Sequence, residues 1–295
     1  MPEGLPGRLP GPSAHGPPPG ALTPGALMSG VQPARAPTTA SAPPGAPLSG
    51  SGAPPVLPQR LCPAVLDLSG LRDGRAARGP RALRAPVELY LARVAEQDAQ
   101  TLRYAREVLD AEERARARAF RHDRDRDAYV VAHAALRNVL SVVTGVRADA
   151  LALTREPCAG CGGPHGRPVL SASGVHFSLS HSGGLVLVAL APAPVGVDVE
   201  ELATVKVMLS AQSALHRAEA DELARLPAYG RPAAFTRAWV RKEAYLKGLG
   251  TGLVRNPALD YLGTGPAPAD PAPGWAVRDV LVPSGYAAAV GLRTY

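Results

Sequence analysis

Three short stretches of this sequence bring together residue types that handle phosphate and divalent cations. In Gly196-Val197-Asp198-Val199-Glu200, at the end of an expected strand, alternation puts Asp198 and Glu200 on one face and Val197 and Val199 on the other. Two carboxylates in one small space repel each other unless a cation lies between them. A few hard oxygen donors completed by substrate phosphates suit Mg²⁺. The competing reading is a solvated acidic strand end, continued by Glu201.

The second stretch, Trp239 to Lys247, reads as helix and places Trp239, Glu243 and Lys247 at i, i+4 and i+8 along one face. The chain has only three lysines, Lys206, Lys242 and Lys247, beside 29 arginines, so two of the three fall in this window. A chain that writes nearly every positive charge as Arg but keeps Lys here points to a need for a compact ammonium. The alternative is an ordinary Glu–Lys surface pair worth about 0.2–0.5 kcal/mol.

The third, Phe177-Ser178-Leu179-Ser180-His181-Ser182-Gly183-Gly184, offers hydroxyls, an imidazole and backbone N–H groups, all of which bind phosphate. A Ser/Gly hairpin turn is the plainer account. No Asp-containing triad accompanies it, so Ser180 is not read as a nucleophile. Arg114, Arg116, Arg118 and Arg121 alternate with acids at helical spacing and read as a solvated face from which one or two guanidiniums reach an anionic ligand. Cys158, Cys161 and His165 have the look of half a zinc knuckle. Structural zinc takes four protein ligands; Cys62 is a poor fourth and His176 a better one, and an exposed loop insertion is favoured over zinc.

The elements that must position these residues follow from periodicity and punctuation. A first strand is expected at Val87–Leu91, and helix from Asp110 onward. Ala128, Val131, Ala132, Ala135, Leu136, Val139, Leu140 and Val143 then keep a 3.6 period up to Gly145. Strands at 175–180, 185–191 and 194–200 read as a meander. Helices at 217–226 and 232–248, the latter with Pro in its first turn and Gly at its end, precede strands at 277–281 and 286–292. The class is α+β.

Half of the 32 prolines fall in residues 1–58, mixed with Gly, Ala and Ser, so that stretch is expected to be disordered, with Met28 a second candidate start. Residues 59–85 read as an Arg-rich linker, followed by an N-terminal part at 86–194 and a C-terminal part at 195–295 carrying the carboxylates. The net charge of +7 is concentrated in residues 1–85, which hold eight Arg against three acids, so nucleic-acid binding by the body is not expected. Neither a long apolar run nor a secretory signal is visible, and three cysteines cannot all pair internally. A cytoplasmic location, with no membrane partner, is the expectation.

Taken in order, these stretches resemble the 4'-phosphopantetheinyl transferase superfamily, of the Sfp type, over about Val87 to Leu292. Gly196–Glu200 matches its GVDVE-like signature, and Trp239–Lys247 matches WxxKEAxxK in full. Phe177–Ser182 matches FNxSHS with Ser178 in place of Asn, and Arg167-Pro168 stands where Lys-Pro is usual. The resemblance implies two similar α/β subdomains packed as a pseudo-dimer with coenzyme A in the cleft between them, and a chain acting as a monomer. It implies that Asp198, Glu200 and Glu243 hold Mg²⁺ and that Lys247 contacts the phosphates. It also implies that Arg167, Ser180, His181 and, less directly, Arg116 bind the nucleotide end. The reaction implied is transfer of phosphopantetheine from coenzyme A to a serine of an acyl or peptidyl carrier protein, with Glu243 either metal ligand or general base. A Mg²⁺-dependent hydrolase of coenzyme A-like pyrophosphates is the enzyme alternative. A non-catalytic coenzyme A-binding protein or a nucleic-acid-associated protein is the alternative of another class.

Overall fold

The structure is a computed structural model that describes residues 57–69, 80–159, 162–163, 166–170 and 173–294. The expected disordered tail up to residue 56, Met28, part of the Arg-rich linker, and Cys161 and His165 lie outside the described residues. The elements are β1 (Arg60–Leu61), β2 (Ala64–Val65), β3 (Glu88–Arg93), α1 (Ala99–Val108), α2 (Ala111–Ala119), α3 (Asp123–Thr144), β4 (Leu153–Arg155) and β5 (Pro168–Leu170). They continue with β6 (His176–Ser182), β7 (Leu185–Ala191), β8 (Val195–Glu201), α4 (Val205–Ala211), α5 (Arg217–Arg225), α6 (Arg231–Leu249), β9 (Trp275–Val280) and β10 (Tyr286–Arg293). The class is α+β, as expected.

Two four-stranded sheets carry the fold, ordered β2-β3-β7-β6 and β1-β9-β10-β8, with β4 and β5 forming a separate ribbon. In each sheet the outer two-residue strand pairs parallel and the remaining strands pair antiparallel. The expected meander of β6, β7 and β8 is corrected here: β6 and β7 form a hairpin, but β8 leaves for the other sheet and pairs with β10. The turn after β7 therefore marks the passage from one half to the other.

Strand alternation decides what lies between the layers. Leu89, Leu91, Leu185 and Leu187 on one sheet meet Val195, Val197, Val199 and Val290 on the other in a shared core. The outer residues of the first sheet, Val186, Val188 and Leu190, pack on Val131, Ala135 and Leu136 of α3. That helix starts after His122 and ends at Gly145, whose φ of 74° is the left-handed cap a glycine accepts. Burying each Val or Leu in these cores is worth about 1.5–3 kcal/mol, which is what holds the four layers in register.

Helix α6 lies on the outer face of the second sheet, with Val240 and Ala244 against Ala287 and Ala289. It can approach because the two strands beneath it present glycine to it. Gly196 of β8 and Gly291 of β10 are directly paired. A Cβ at 291 would sit 3.0 Å from Cα of Tyr245, and one at 196 would collide with the Ala244 carbonyl and the Gly248 amide. The helix stops at Leu249 with Gly250 at φ 77°, not at Gly248 as its sequence suggested. Gly248 is needed for contact instead, because a Cβ there would meet the Trp275 ring at 2.7 Å.

Residues 57–69 depart from the expected tail and linker. Leu57 and Leu68 are buried, and β1 and β2 extend one sheet each. Edge strands of two residues are held by backbone hydrogen bonds and have too little length to show a period. Helices α1 and α4 are likewise additions to the expected order. Buried charges tie loops to helices. Arg241 pairs with both oxygens of Asp279 at 2.8 and 2.7 Å and donates to the carbonyls of Gly263 and Gly265. Arg137 joins Glu113 and Asp110 to the carbonyls of Ala148 and Leu151. Among the described residues no helix is long and apolar enough to cross a membrane.

Candidate active site

The two carboxylate-bearing stretches meet where β8 passes beneath α6. Because Val197 and Val199 fill the core between the sheets, alternation turns Gly196, Asp198 and Glu200 toward α6. Glu243 and Lys247, one turn apart on that helix, come down onto them. Nζ of Lys247 donates to Oδ1 of Asp198 at 2.6 Å and to Oγ of Ser180 at 3.3 Å. Asp198 is 2 % exposed and Glu243 7 %, whereas the side chain of Lys247 keeps 32 % of its surface. The cluster is thus reached from solvent on the Lys247 side.

Burial and mutual repulsion set the protonation of the acids. Desolvation first, then the charge of Asp198, pushes Glu200 up to about 8 and Glu243 up to about 7. Burial opposes the charge on Lys247, but Asp198, Glu243 and Glu200 outweigh it and hold the ammonium above the ordinary lysine range. A second positive charge brought among these acids would relieve the same repulsion.

Two oxygens in the cluster, Oδ2 of Asp198 and Oε1 of Glu243, are buried without a hydrogen-bond partner. An orphaned buried carboxylate oxygen is costly unless something charged or polar meets it. Among the described residues no group of three or more His, Cys, Asp or Glu side chains is placed so as to hold a metal ion. The two orphaned oxygens are hard donors, of the type Mg²⁺ takes when water and substrate phosphates complete its shell. The residues present fit that ion.

Ser180 is tied to the carboxylate pair. Its hydroxyl donates to Oδ1 of Asp198 at 2.8 Å and accepts from the amide of Val199 at 3.3 Å and from Lys247. One proton and two lone pairs are then all engaged within the protein. His181 belongs to the opposite alternation of β6. Burial, then His133 and Lys247, lower its imidazole to about 4, so at neutral pH it offers a hydrogen bond and no charge.

Arg167 forms a two-point pair with Glu156, at 2.7 and 3.1 Å, and donates to the carbonyl of Gly248 near the end of α6 at 3.2 Å. It lies on a cavity of about 190 Å³ that Glu156, Pro168, His176 and Phe177 also line. Arg116 sits half-buried in the last turn of α2, close enough to act on Tyr129 of α3, and on a different element from the carboxylates. A larger concavity of about 1090 Å³, lined by residues such as Leu83, Val143, Leu151 and Val175, includes none of the expected site residues. Cys158 is buried, while its expected zinc partners Cys161 and His165 lie outside the described residues.

Of the two lysines in the α6 window, only Lys247 faces the acids. Lys242 is 1 % exposed and pairs with Glu219 at 2.8 Å while donating to the carbonyls of Pro257 and Asp260. It anchors the loop after α6. The residue that reading of the sequence missed is Ser182, whose hydroxyl donates to Oε2 of Glu200 at 2.7 Å. Its signal was the period-two spacing of Ser178, Ser180 and Ser182.

Comparison with known proteins points the same way as the geometry. Residues 194–264, from β8 through α6 to the following loop, match the model of the 4'-phosphopantetheinyl transferase superfamily. The chain is 29% identical over 196 residues to 4'-phosphopantetheinyl transferase HetI of Nostoc sp., covering 64% of this chain and 80% of that protein. It is 37% identical over 90 residues to 4'-phosphopantetheinyl transferase psf-1 of Bacillus pumilus, covering 30% of this chain and 38% of that one. With 4'-phosphopantetheinyl transferase gsp of Aneurinibacillus migulanus it shares 29% identity over 89 residues, covering 30% and 37%. The matched segment carries the paired carboxylates, the glycine that admits the helix and the helix itself, and it is in this segment that the chain is similar to the 4'-phosphopantetheinyl transferase superfamily.

Proposed function

We propose that this chain transfers phosphopantetheine from coenzyme A to a serine of an apo acyl or peptidyl carrier protein, in a Mg²⁺-dependent reaction that releases adenosine 3',5'-bisphosphate. The observation that carries the reading is the meeting of Asp198, Glu200, Glu243 and Lys247 beneath α6, with two buried carboxylate oxygens left for a ligand. Asp198, Glu200 and Glu243 would hold Mg²⁺, which when bound supplies neutralisation of the pyrophosphate charge. Lys247, half-buried on the open side, meets the phosphates as a compact charge.

His181, Arg167 and Arg116 are assigned to the nucleotide end, His181 as a neutral hydrogen-bonding group. The two sheets, each with one parallel edge strand and one long helix, are taken as the halves of a pseudo-dimer with coenzyme A between them. In the reaction the serine hydroxyl attacks the β-phosphorus. The new O–P bond forms as the bond from that phosphorus to the bridging oxygen breaks, and the electron pair leaves with adenosine 3',5'-bisphosphate. Should Glu243 not be a ligand to the ion, it is the base that accepts the serine proton, and the pH–rate profile of Glu243→Gln separates the two roles.

The test is dependence on the acceptor. Adenosine 3',5'-bisphosphate is measured from coenzyme A and Mg²⁺ with and without an apo carrier protein. Release only with the carrier is expected; equal release without it would make the chain a hydrolase.

A further inference from the structure

Strand β6 sends three serines, Ser178, Ser180 and Ser182, toward the edge of β8 in the other sheet. Their hydroxyls accept from the amides of Val197, Val199 and Glu201 at 3.0, 3.3 and 3.3 Å. The ladder stitches the two sheets together at a place where no backbone pairing joins them. Its three rungs differ in one respect. Ser178 binds only an amide, whereas Ser180 and Ser182 also donate to the carboxylates of Asp198 and Glu200, at 2.8 and 2.7 Å.

We propose that Ser180 and Ser182 are positioning residues for the carboxylate pair: with their hydroxyls oriented by the amides of β8, each holds one oxygen of its carboxylate and leaves the other to a divalent cation. This rests on the metal reading above. The buried, unpartnered Oδ2 of Asp198 is the consequence at the first carboxylate, since Oδ1 is taken by Ser180 and Lys247. An oxygen fixed in this way does not swing between the ion and the protein. Partners that orient metal ligands usually contribute about 10- to 100-fold to affinity.

The natural control is built into the ladder. Ser178→Ala and Ser182→Ala each remove one acceptor of a β8 amide, but only the second frees a carboxylate. Mn²⁺ binding to the metal-free full chain, followed by electron paramagnetic resonance with Mg²⁺ competition, is measured for wild type and both variants alongside thermal unfolding. Ser182→Ala is expected to weaken Mn²⁺ about 10- to 100-fold while Ser178→Ala binds as wild type, with both unfolding temperatures lowered alike. Ser180→Ala repeats the test at Asp198 should Ser182→Ala not fold. Equal Mn²⁺ affinity in the serine variants, whether unchanged or equally weakened, would overturn the inference while leaving the metal site standing. Failure of the wild type to bind Mn²⁺ would remove the metal reading itself.

Discussion

Nζ of Lys247 lies 2.6 Å from Oδ1 of Asp198, so the ammonium on α6 is the nearest counter-charge to a carboxylate buried on β8. The pair ties helix to strand at the point where the carboxylates gather. On the proposed metal reading it also sets a competition, because a divalent cation entering the cluster would take over part of the neutralisation that Lys247 supplies.

Lys247→Met should therefore lower the stability of the metal-free chain by about 1.5–3 kcal/mol, the range for a hydrogen bond to a charged group. The same variant should gain more from Mg²⁺ than wild type does, since its acids are left less compensated. Unfolding temperatures with and without Mg²⁺ check both statements; a smaller Mg²⁺ gain in the variant would contradict them.

Protonation of the cluster gives a pH dependence with a definite sign. Glu200 rises from an ordinary 4.5 to about 8, and Glu243 to about 7, so between those values the folded chain holds protons that the unfolded chain has released. Their contribution to stability is full below about 4.5 and is lost as pH rises through 7 to 8. Mg²⁺ bound to these carboxylates would displace the same protons, so its binding should strengthen over that interval. Calorimetric titrations at pH 6 and pH 8 (about two units spanning the shifted carboxylates) should give tighter binding at the higher pH, and Glu200→Gln should flatten the trend. Tighter binding at the lower pH would reverse the assignment.

Gly196→Ala tests the contact that brings α6 down onto β8. The added methyl collides with the Ala244 carbonyl and the Gly248 amide, both backbone, so the helix has to move. A cost of about 1–3 kcal/mol in stability is expected from overpacking. Displacing Glu243 and Lys247 by about 1 Å should lower activity by about 100-fold. Urea unfolding and initial rates report the two effects separately. Full activity in a stable variant would show that the glycine pair is not what sets the site.

Much of this was legible in the sequence, and the gaps have physical causes. β8 and α6 stood out because Val197 and Val199 alternate with carboxylates and because Trp239, Glu243 and Lys247 fall at i, i+4 and i+8 in a stretch bounded by Pro232 and Gly248. Lys242 and Lys247 looked alike as charges five positions apart on one helix, and only packing reveals that the former points at Glu219 and the latter at Asp198. The departure of β8 from the hairpin before it was hidden, since a strand's partner is not written in its own periodicity. Gly248 read as a helix stop because the chain has glycines at both 248 and 250, and the choice depends on where the Trp275 ring lies. The serines of β6 advertised phosphate chemistry, whereas their period of two was the more informative feature.

The central claim is tested most directly by the intact mass of an apo carrier protein after incubation with this chain, coenzyme A and Mg²⁺, beside Asp198→Ala. A mass gain of one phosphopantetheine that disappears with EDTA and falls about 100- to 1,000-fold in rate for the variant is predicted. No gain on any of several carriers, or an undiminished gain with Asp198→Ala, would contradict it.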